Sequence, residues 1–165
     1  ILITGNKNHL SANSTQILSG ASANDANHIS GPSRNGDGLL LAIQRTFAQH
    51  KHILPDTINA HGTATPYNDE MESIAFERAG LTQIPVNSLK GYYGHTLGAA
   101  GVLETILTLE AAHHNQLIKS AGFSEHGVSG KISIIKEHKN TPIKNILKTA
   151  SGFGGCNAAA LFAKL

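Results

Sequence analysis

Cysteine, long apolar runs and clustered basic residues are all scarce in this 165-residue sequence. A single cysteine excludes an internal disulfide and is typical of a reducing compartment, so we expect a cytoplasmic protein. The wholly apolar runs are only a few residues long, so we predict neither a membrane span nor a secretory segment. The net charge is +2 and Lys and Arg form no long cluster, so we expect no binding to nucleic acid.

Methionine is equally scarce, since Met71 is the only one and the chain opens with Ile1. Removal of an initiator methionine normally leaves a small residue, so we expect this chain to be a piece of a longer protein. Its length and its 40% hydrophobic content suit one globular domain with a core of ordinary size.

Strand and helix signals alternate along the sequence, which predicts an α/β fold. The predicted strands are residues 17–23, 53–60, 84–89, 131–135, 146–150 and 157–163. The predicted helices, from apolar residues at helical spacing, are residues 39–50, 69–79 and 95–114. Asp69 and Glu72 then lie in the first turn of the second helix, where carboxylates suit the helix dipole, and we interpret both as structural.

The third predicted helix carries small residues in its first turns, at positions 98–101 (GAAG). Each interior glycine costs about 1 kcal/mol of helix stability relative to alanine, so close packing must compensate. We therefore predict that this helix is the buried central one, with Val102, Ile106 and Leu109 on one face.

Three predicted strands are each followed by a glycine-containing turn, here called a corner, that carries polar or aromatic side chains. The corners contain His61 in NAHGTAT, Lys90 and His95 in NSLKGYYGHTLGAAG, and Phe153 in SGFGGCN. Ligands of α/β sheets usually lie at the carboxyl ends of strands, and a parallel stretch would bring the corners to one edge. Two neutral imidazoles there could each donate a hydrogen bond from Nε2 to one thioester oxygen and stabilise a developing enolate. A lone histidine after a strand is more often structural, but two at matching corners favour a site.

Four segments resemble, in order, the signature blocks of the β-ketoacyl-acyl carrier protein synthases, the condensing enzymes of fatty acid and polyketide synthesis. NGDGLLLAI resembles the Asn-Gly-x-Gly helix start, and HGTATPYNDEMES resembles the His-Gly-Thr-x-Thr block. SLKGYYGHTLGAAGVLE resembles the Lys-x-x-x-Gly-His block, and GFGGCNAAALF resembles the closing Gly-Phe-Gly-Gly-x-Asn block. The similarity extends from about Ile17 to the end of the chain.

This resemblance implies roles for individual residues. His61 and His95 would hydrogen-bond the malonyl thioester carbonyl, and Lys90 would act beside them. The remaining implied residues are those that line the pantetheine channel, gate the acyl pocket or support the site: Thr63, Thr65, Phe153, Glu104, Gly154 and Gly155. Glu104 would pair with Lys90, either as part of the site or as a buried structural ion pair. The resemblance implies no metal, and no cofactor beyond the phosphopantetheine that carries the substrate on acyl carrier protein.

The family's nucleophile is a cysteine at the start of a buried helix, which this sequence lacks. Its only cysteine, Cys156, follows Gly-Phe-Gly-Gly at the start of a predicted strand, and we interpret it as a small packed residue. The resemblance therefore implies that residues 1–165 are the C-terminal half of a thiolase-like fold, with a mixed five-stranded sheet layered with helices. An N-terminal half would supply the cysteine, and without it the chain should be inactive.

The implied partners are acyl carrier protein, the N-terminal half, and a second subunit in a homodimer or heterodimer. Two other functions stay open. The chain could belong to a non-catalytic subunit like the chain-length factors of polyketide systems, although His61, Lys90 and His95 are all present. It could also be a carrier-protein binding module with no chemistry of its own.

Overall fold

The computed structural model describes Gly5, Asn8, Leu10, Ser11, residues 14–29 and residues 31–165. Within this part of the chain the helices are α1 (Asp37–Phe47), α2 (Pro66–Arg78), α3 (Lys90–Tyr93) and α4 (Ala100–His113). The strands are β1 (Thr15–Asn24), β2 (Thr57–Asn59), β3 (Pro85–Asn87), β4 (Gln116–Leu117), β5 (Ser133–Ile134), β6 (Lys139–Asn140), β7 (Asn145–Gly152) and β8 (Cys156–Lys164).

Six strands form one mixed sheet in the order β1-β8-β7-β2-β3-β5, and β4 and β6 pair separately. The pairs β1/β8 and β8/β7 are antiparallel, whereas β7, β2, β3 and β5 run parallel. The predicted α/β class and mixed sheet are confirmed. The predicted number of five strands is wrong, because the two-residue strand β5 pairs with β3 and extends the sheet at its edge.

Helices pack on both faces of the sheet, as the alternation of side chains along β7 requires. Leu147 belongs to a cluster with buried side chains of α1 and α2, including Leu39, Ile43 and Phe76. Its neighbour Ile146 faces the other way and joins a second cluster, which consists of Ala112, Leu117, Ile135, Ile143, Ile146 and Phe162. The parallel strands β2 and β3 therefore lie in the interior of the fold, and the loops that follow them reach the surface.

The prediction that the third helix is buried at the centre is wrong for this chain. The buried residues of α4 recur every four positions, at Ala100, Glu104, Thr108 and Ala112. The opposite side is apolar but exposed, with Val102 at 59% and Ile106 at 39%. The chain's own sheet covers only one side of α4, and apolar spacing cannot tell a covered side from an uncovered one.

The start of α4 also differs from the prediction. A 3-10 turn (Leu97–Ala99) precedes it, so the helix begins at Ala100 and not at His95. The described part of the chain contains no helix of the length and apolar character that crossing a membrane requires.

Candidate active site

The ends of β2 and β3 form the floor of the candidate site. These strands are parallel neighbours, so the loops that follow them meet at one edge of the sheet. Ser88 Oγ donates a 2.7 Å hydrogen bond to the Gly62 carbonyl and ties the two loops together. Gly62 has φ +46, and a Cβ there would lie 2.5 Å from the Ser88 Cβ, so only glycine fits.

The two loops bring the imidazoles of His61 and His95 together. Their ring centroids are 5.0 Å apart and their planes are inclined by 78°. His61 is 6% exposed, whereas His95 is open to solvent. The pair therefore has one ring buried in the protein interior and one ring exposed at the surface.

In both rings the Nδ1 atom has a donor beside it. Lys90 Nζ lies 3.2 Å from His61 Nδ1, and the Leu97 backbone N–H donates to His95 Nδ1 at 3.0 Å. An ammonium and an amide N–H can only donate, so both Nδ1 atoms are acceptors. A neutral ring in this arrangement carries its hydrogen on Nε2, which makes Nε2 the donor in each case.

His61 is kept neutral by its surroundings. Burial is the largest cause that lowers the pKa of His61 to about 4, and the nearby charges of Lys90 and Lys148 act in the same direction. Its imidazole is therefore uncharged at neutral pH and can donate from Nε2 without adding a charge to the interior.

A buried carboxylate between two lysines supports the His61 loop. Glu104 Oε1 lies 2.5 Å from Lys90 Nζ, and Glu104 Oε2 lies 2.6 Å from Lys148 Nζ. Lys90 also donates to the His61 carbonyl, and Lys148 donates to the Ala60 carbonyl at 3.3 Å. Burial alone would raise the pKa of Glu104, but the two ammonium groups hold this pKa below its ordinary value. Glu104 is thus an ionised, fully buried counter-charge for both lysines.

Glu72 binds the backbone N–H groups of the same loop, whose carbonyl groups are bound by the two lysines. Its carboxylate accepts the backbone N–H of His61 at 2.8 Å and that of Gly62 at 2.6 Å, and Asn68 Nδ2 donates to it at 2.8 Å. Burial raises the pKa of Glu72, with these hydrogen bonds acting in the opposite direction. The predicted first-turn position of Glu72 is wrong, because α2 begins at Pro66 and places Glu72 one turn further along.

Two further predicted groups lie at loops on this edge of the sheet. Thr63 and Thr65 follow His61, and their hydroxyl oxygens are 2.7 Å apart. Phe153 is 85% exposed in the turn after β7, which runs parallel to β2 and so ends on the same edge. Phe153 is therefore not a core residue of this chain.

The glycines of the β7–β8 turn have positive φ, +81 at Gly154 and +72 at Gly155. They let the chain reverse before Cys156, which begins β8 as predicted. Cys156 is exposed, so its interpretation as a packed residue is wrong. It lies near the sheet edge β1, where Asn24 Nδ2 contacts its Sγ at 3.7 Å.

Lys148 is the site residue that the sequence analysis missed. It is 5% exposed and lies within β7, five residues before Phe153. The available signal was a lysine that directly follows two apolar residues, Ile146 and Leu147, within a predicted strand. Its partner Glu104 lies 44 residues earlier in the sequence, so no local pattern links the two residues.

Comparison with known proteins gives a consistent result. The family model described as β-ketoacyl synthase, C-terminal domain, matches residues 15–124. A mitochondrial 3-oxoacyl-[acyl-carrier-protein] synthase of Arabidopsis thaliana is 32% identical over 151 residues, which cover 86% of this chain and 32% of that protein. The chain spans about a third of the length of the curated relatives it matches.

Two solved structures are similar over 92% of this chain. One is a type II polyketide ketosynthase, bound to the hexaketide, in complex with its acyl-carrier protein; the TM-score is 0.85 at 25% identity over 38% of that chain. The other is a ketosynthase from Xenorhabdus doucetiae in complex with its chain length factor, with a TM-score of 0.81 at 29% identity over 39% of that chain. These likenesses and the mixed sheet together give the thiolase-like fold of ketosynthases, of which this chain is the C-terminal part.

Proposed function

Since the chain belongs to the β-ketoacyl synthase family, whose C-terminal domain it matches, we propose that it supplies the two histidines of a decarboxylative condensation site. The complete protein would join malonyl-acyl carrier protein to an acyl group held as a thioester on a cysteine. That cysteine would come from an N-terminal half, and the chain alone would be inactive. One observation carries the proposal: His61 and His95 lie together with both Nδ1 atoms acting as acceptors.

The two Nε2–H groups would act on the malonyl thioester carbonyl oxygen. When the malonyl carboxylate leaves as CO₂, its bonding electron pair forms an enolate whose negative charge rests on that oxygen. Donors already aimed at the oxygen stabilise this charge without reorganisation, and the loss of one such donor typically costs about 3–4 kcal/mol of transition-state stabilisation. The enolate carbon then attacks the acyl thioester carbonyl, a carbon–carbon bond forms, and the cysteine leaves as thiolate.

The other predicted residues would serve the same reaction. Lys90 would hold His61 in its Nε2–H tautomer, with Glu104 as the counter-charge. The hydroxyls of Thr63 and Thr65, one half-buried and one exposed, would meet the amide groups of the phosphopantetheine arm. Phe153 would gate the acyl pocket from its exposed turn, whose backbone reversal depends on the two glycines that follow.

The partners follow from the uncovered surfaces. The N-terminal half would cover the exposed apolar side of α4, including Val102 and Ile106, together with Leu97 of the preceding 3-10 turn, which is 77% exposed. Acyl carrier protein would deliver the substrate, and the complete protein would form a homodimer or a heterodimer. The solved neighbours described as complexes with acyl-carrier protein and with a chain length factor support these assignments. Phosphopantetheine would be the only prosthetic group involved.

The main alternative is a non-catalytic subunit of the chain-length-factor kind. The paired histidines and the buried Lys90 favour the enzyme, because a subunit without chemistry has no need of two aligned Nε2–H donors. A carrier-protein binding module is the other alternative. The His61→Ala and His95→Ala variants would separate the enzyme from the binding module. In a binding module, titration with acyl carrier protein should show unchanged affinity, and the variants should keep the full function of the protein.

The test uses the complete protein with its N-terminal half. A cerulenin-like electrophile should label one cysteine at the start of a helix in that half, and malonyl-acyl carrier protein should be decarboxylated and condensed. Replacing His61 or His95 by Ala should each lower kcat about 10²–10³-fold, whereas His52→Ala, an exposed histidine outside the site, should not. Absence of labelling, or histidine variants with unchanged kcat, would refute the proposal.

A further inference from the structure

Lys148 has every donor position of its ammonium group occupied by protein atoms. It donates to Glu104 Oε2 at 2.6 Å, to the Thr149 carbonyl at 2.7 Å and to the Ala60 carbonyl at 3.3 Å. A lysine ammonium has three hydrogens, so none is left for a substrate. Lys148 therefore cannot touch the reacting atoms in this arrangement, and any role in the reaction must pass through its neighbours.

The most direct neighbour is the carboxylate that Lys148 shares with Lys90. Lys90 also has three acceptors, which are Glu104 Oε1, the His61 carbonyl and His61 Nδ1. Each oxygen of Glu104 thus has its own cation. If Lys148 were neutral, Oε2 would be a buried and unpaired charge, and Lys90 would be the one cation among the described residues that pairs with Glu104. Lys90 would move toward the second oxygen and away from the His61 ring.

We propose that Lys148 is a positioning residue that neutralises the second oxygen of Glu104, and that this keeps Lys90 on His61 and fixes the Nε2–H tautomer of His61. The effect on the tautomer follows from the charge arrangement alone. The effect on catalysis rests in addition on the proposed function, in which the His61 Nε2–H is one of the two donors to the thioester oxygen.

The direct test is ¹⁵N NMR of histidine-labelled complete protein, with the His61→Gln variant used to assign the His61 ring signals. In the unmodified protein, Nδ1 should resonate as an unprotonated nitrogen and Nε2 as a protonated one. In Lys148→Met, which has a similar shape and no charge, the two signals should move toward each other because both tautomers become populated. The double variant Lys148→Met/Glu104→Gln removes both charges and should restore the single tautomer.

Steady-state kinetics give a second reading of Lys148→Met. A misplaced donor costs about 100-fold in rate, so kcat should fall by about that factor with little change in KM. Lys164→Met is the matched control, because Lys164 also binds a backbone carbonyl, that of Ala112 at 3.2 Å, but at the far end of β8. Its kcat and its His61 signals should be unchanged.

The proposal is overturned if Lys148→Met lowers only the melting temperature and leaves both the His61 signals and kcat unchanged. If that variant does not fold, Lys148→Arg keeps the charge and must keep the single tautomer, as must the double variant. A folded double variant with mixed tautomers overturns the proposal. A protein that shows no condensing activity even with Lys148 in place refutes the proposed function, and the NMR result then still decides the role of Lys148.

Discussion

The loss of folding stability at acid pH should depend on His61 more than on an exposed histidine. The perturbation is a change from pH 7 to pH 5, applied to the unmodified protein and to His61→Gln. In the folded protein the pKa of His61 is about 4, whereas in the unfolded chain it returns to about 6.5. Between these values the unfolded chain binds a proton that the folded protein does not bind, so stability is complete above pH 6.5 and falls as the pH falls.

The size of the effect follows from the two pKa values. The full difference of about 2.5 pH units corresponds to about 3 kcal/mol, and the part lost between pH 7 and pH 5 is about 2 kcal/mol. Glu104 acts in the same direction, because its pKa is lowered by its lysine partners despite the opposing effect of burial, and Glu72 acts in the opposite direction. Both carboxylates are present in every variant, so the comparison isolates His61.

The assay is urea denaturation at both pH values for the unmodified protein, His61→Gln and the control His52→Gln. The unmodified protein and the control should each lose about 2 kcal/mol more than His61→Gln on going to pH 5. Equal losses in all three proteins would refute the reasoning, because they would show that the His61 ring is as easily protonated in the folded protein as in the unfolded chain.

Two further predictions concern the loop and the charge cluster. Gly62→Ala should lower the free energy of unfolding, measured by chemical denaturation, by at least about 2 kcal/mol, because it adds a collision with Ser88 to the strain of a positive φ. The control Gly80→Ala, with φ +75 and open space around it, should lower it by only about 1 kcal/mol. Equal losses would contradict this account. Glu104→Ala leaves two buried ammonium groups without a carboxylate and should lose about 3–5 kcal/mol. A thermal melt that shows no loss for Glu104→Ala would mean that the lysines find other partners or solvent.

The sequence was sufficient for the features that depend on local pattern. The alternating strand and helix signals predicted the α/β class, and the glycine corner after β2 correctly placed His61 at a strand end. The meeting of His61 with His95 was predicted because neighbouring parallel strands end at the same edge. The roles of these residues in a reaction remain predictions.

Features that depend on distant partners could not be predicted in the same way. Lys148 is one lysine among several in the C-terminal segment, and only the fold shows that it meets Glu104. Glu72 was placed by its helix position, whereas its actual partners are backbone N–H groups of a loop that precedes the helix. The exposed side of α4 has the same composition as a buried one, so its apolar residues predicted a core position that this chain does not provide.

The place of β8 in the sheet has a consequence for how the fold is acquired. β8 lies between β1 and β7, and the register joins Thr15 to Lys164. Contacts between residues so far apart in sequence form slowly, because a long loop must close before any pairing energy is gained. During synthesis β1 must wait, with an open hydrogen-bonding edge, until β8 has left the ribosome. Loss of β8 would therefore release β1 from the sheet as well.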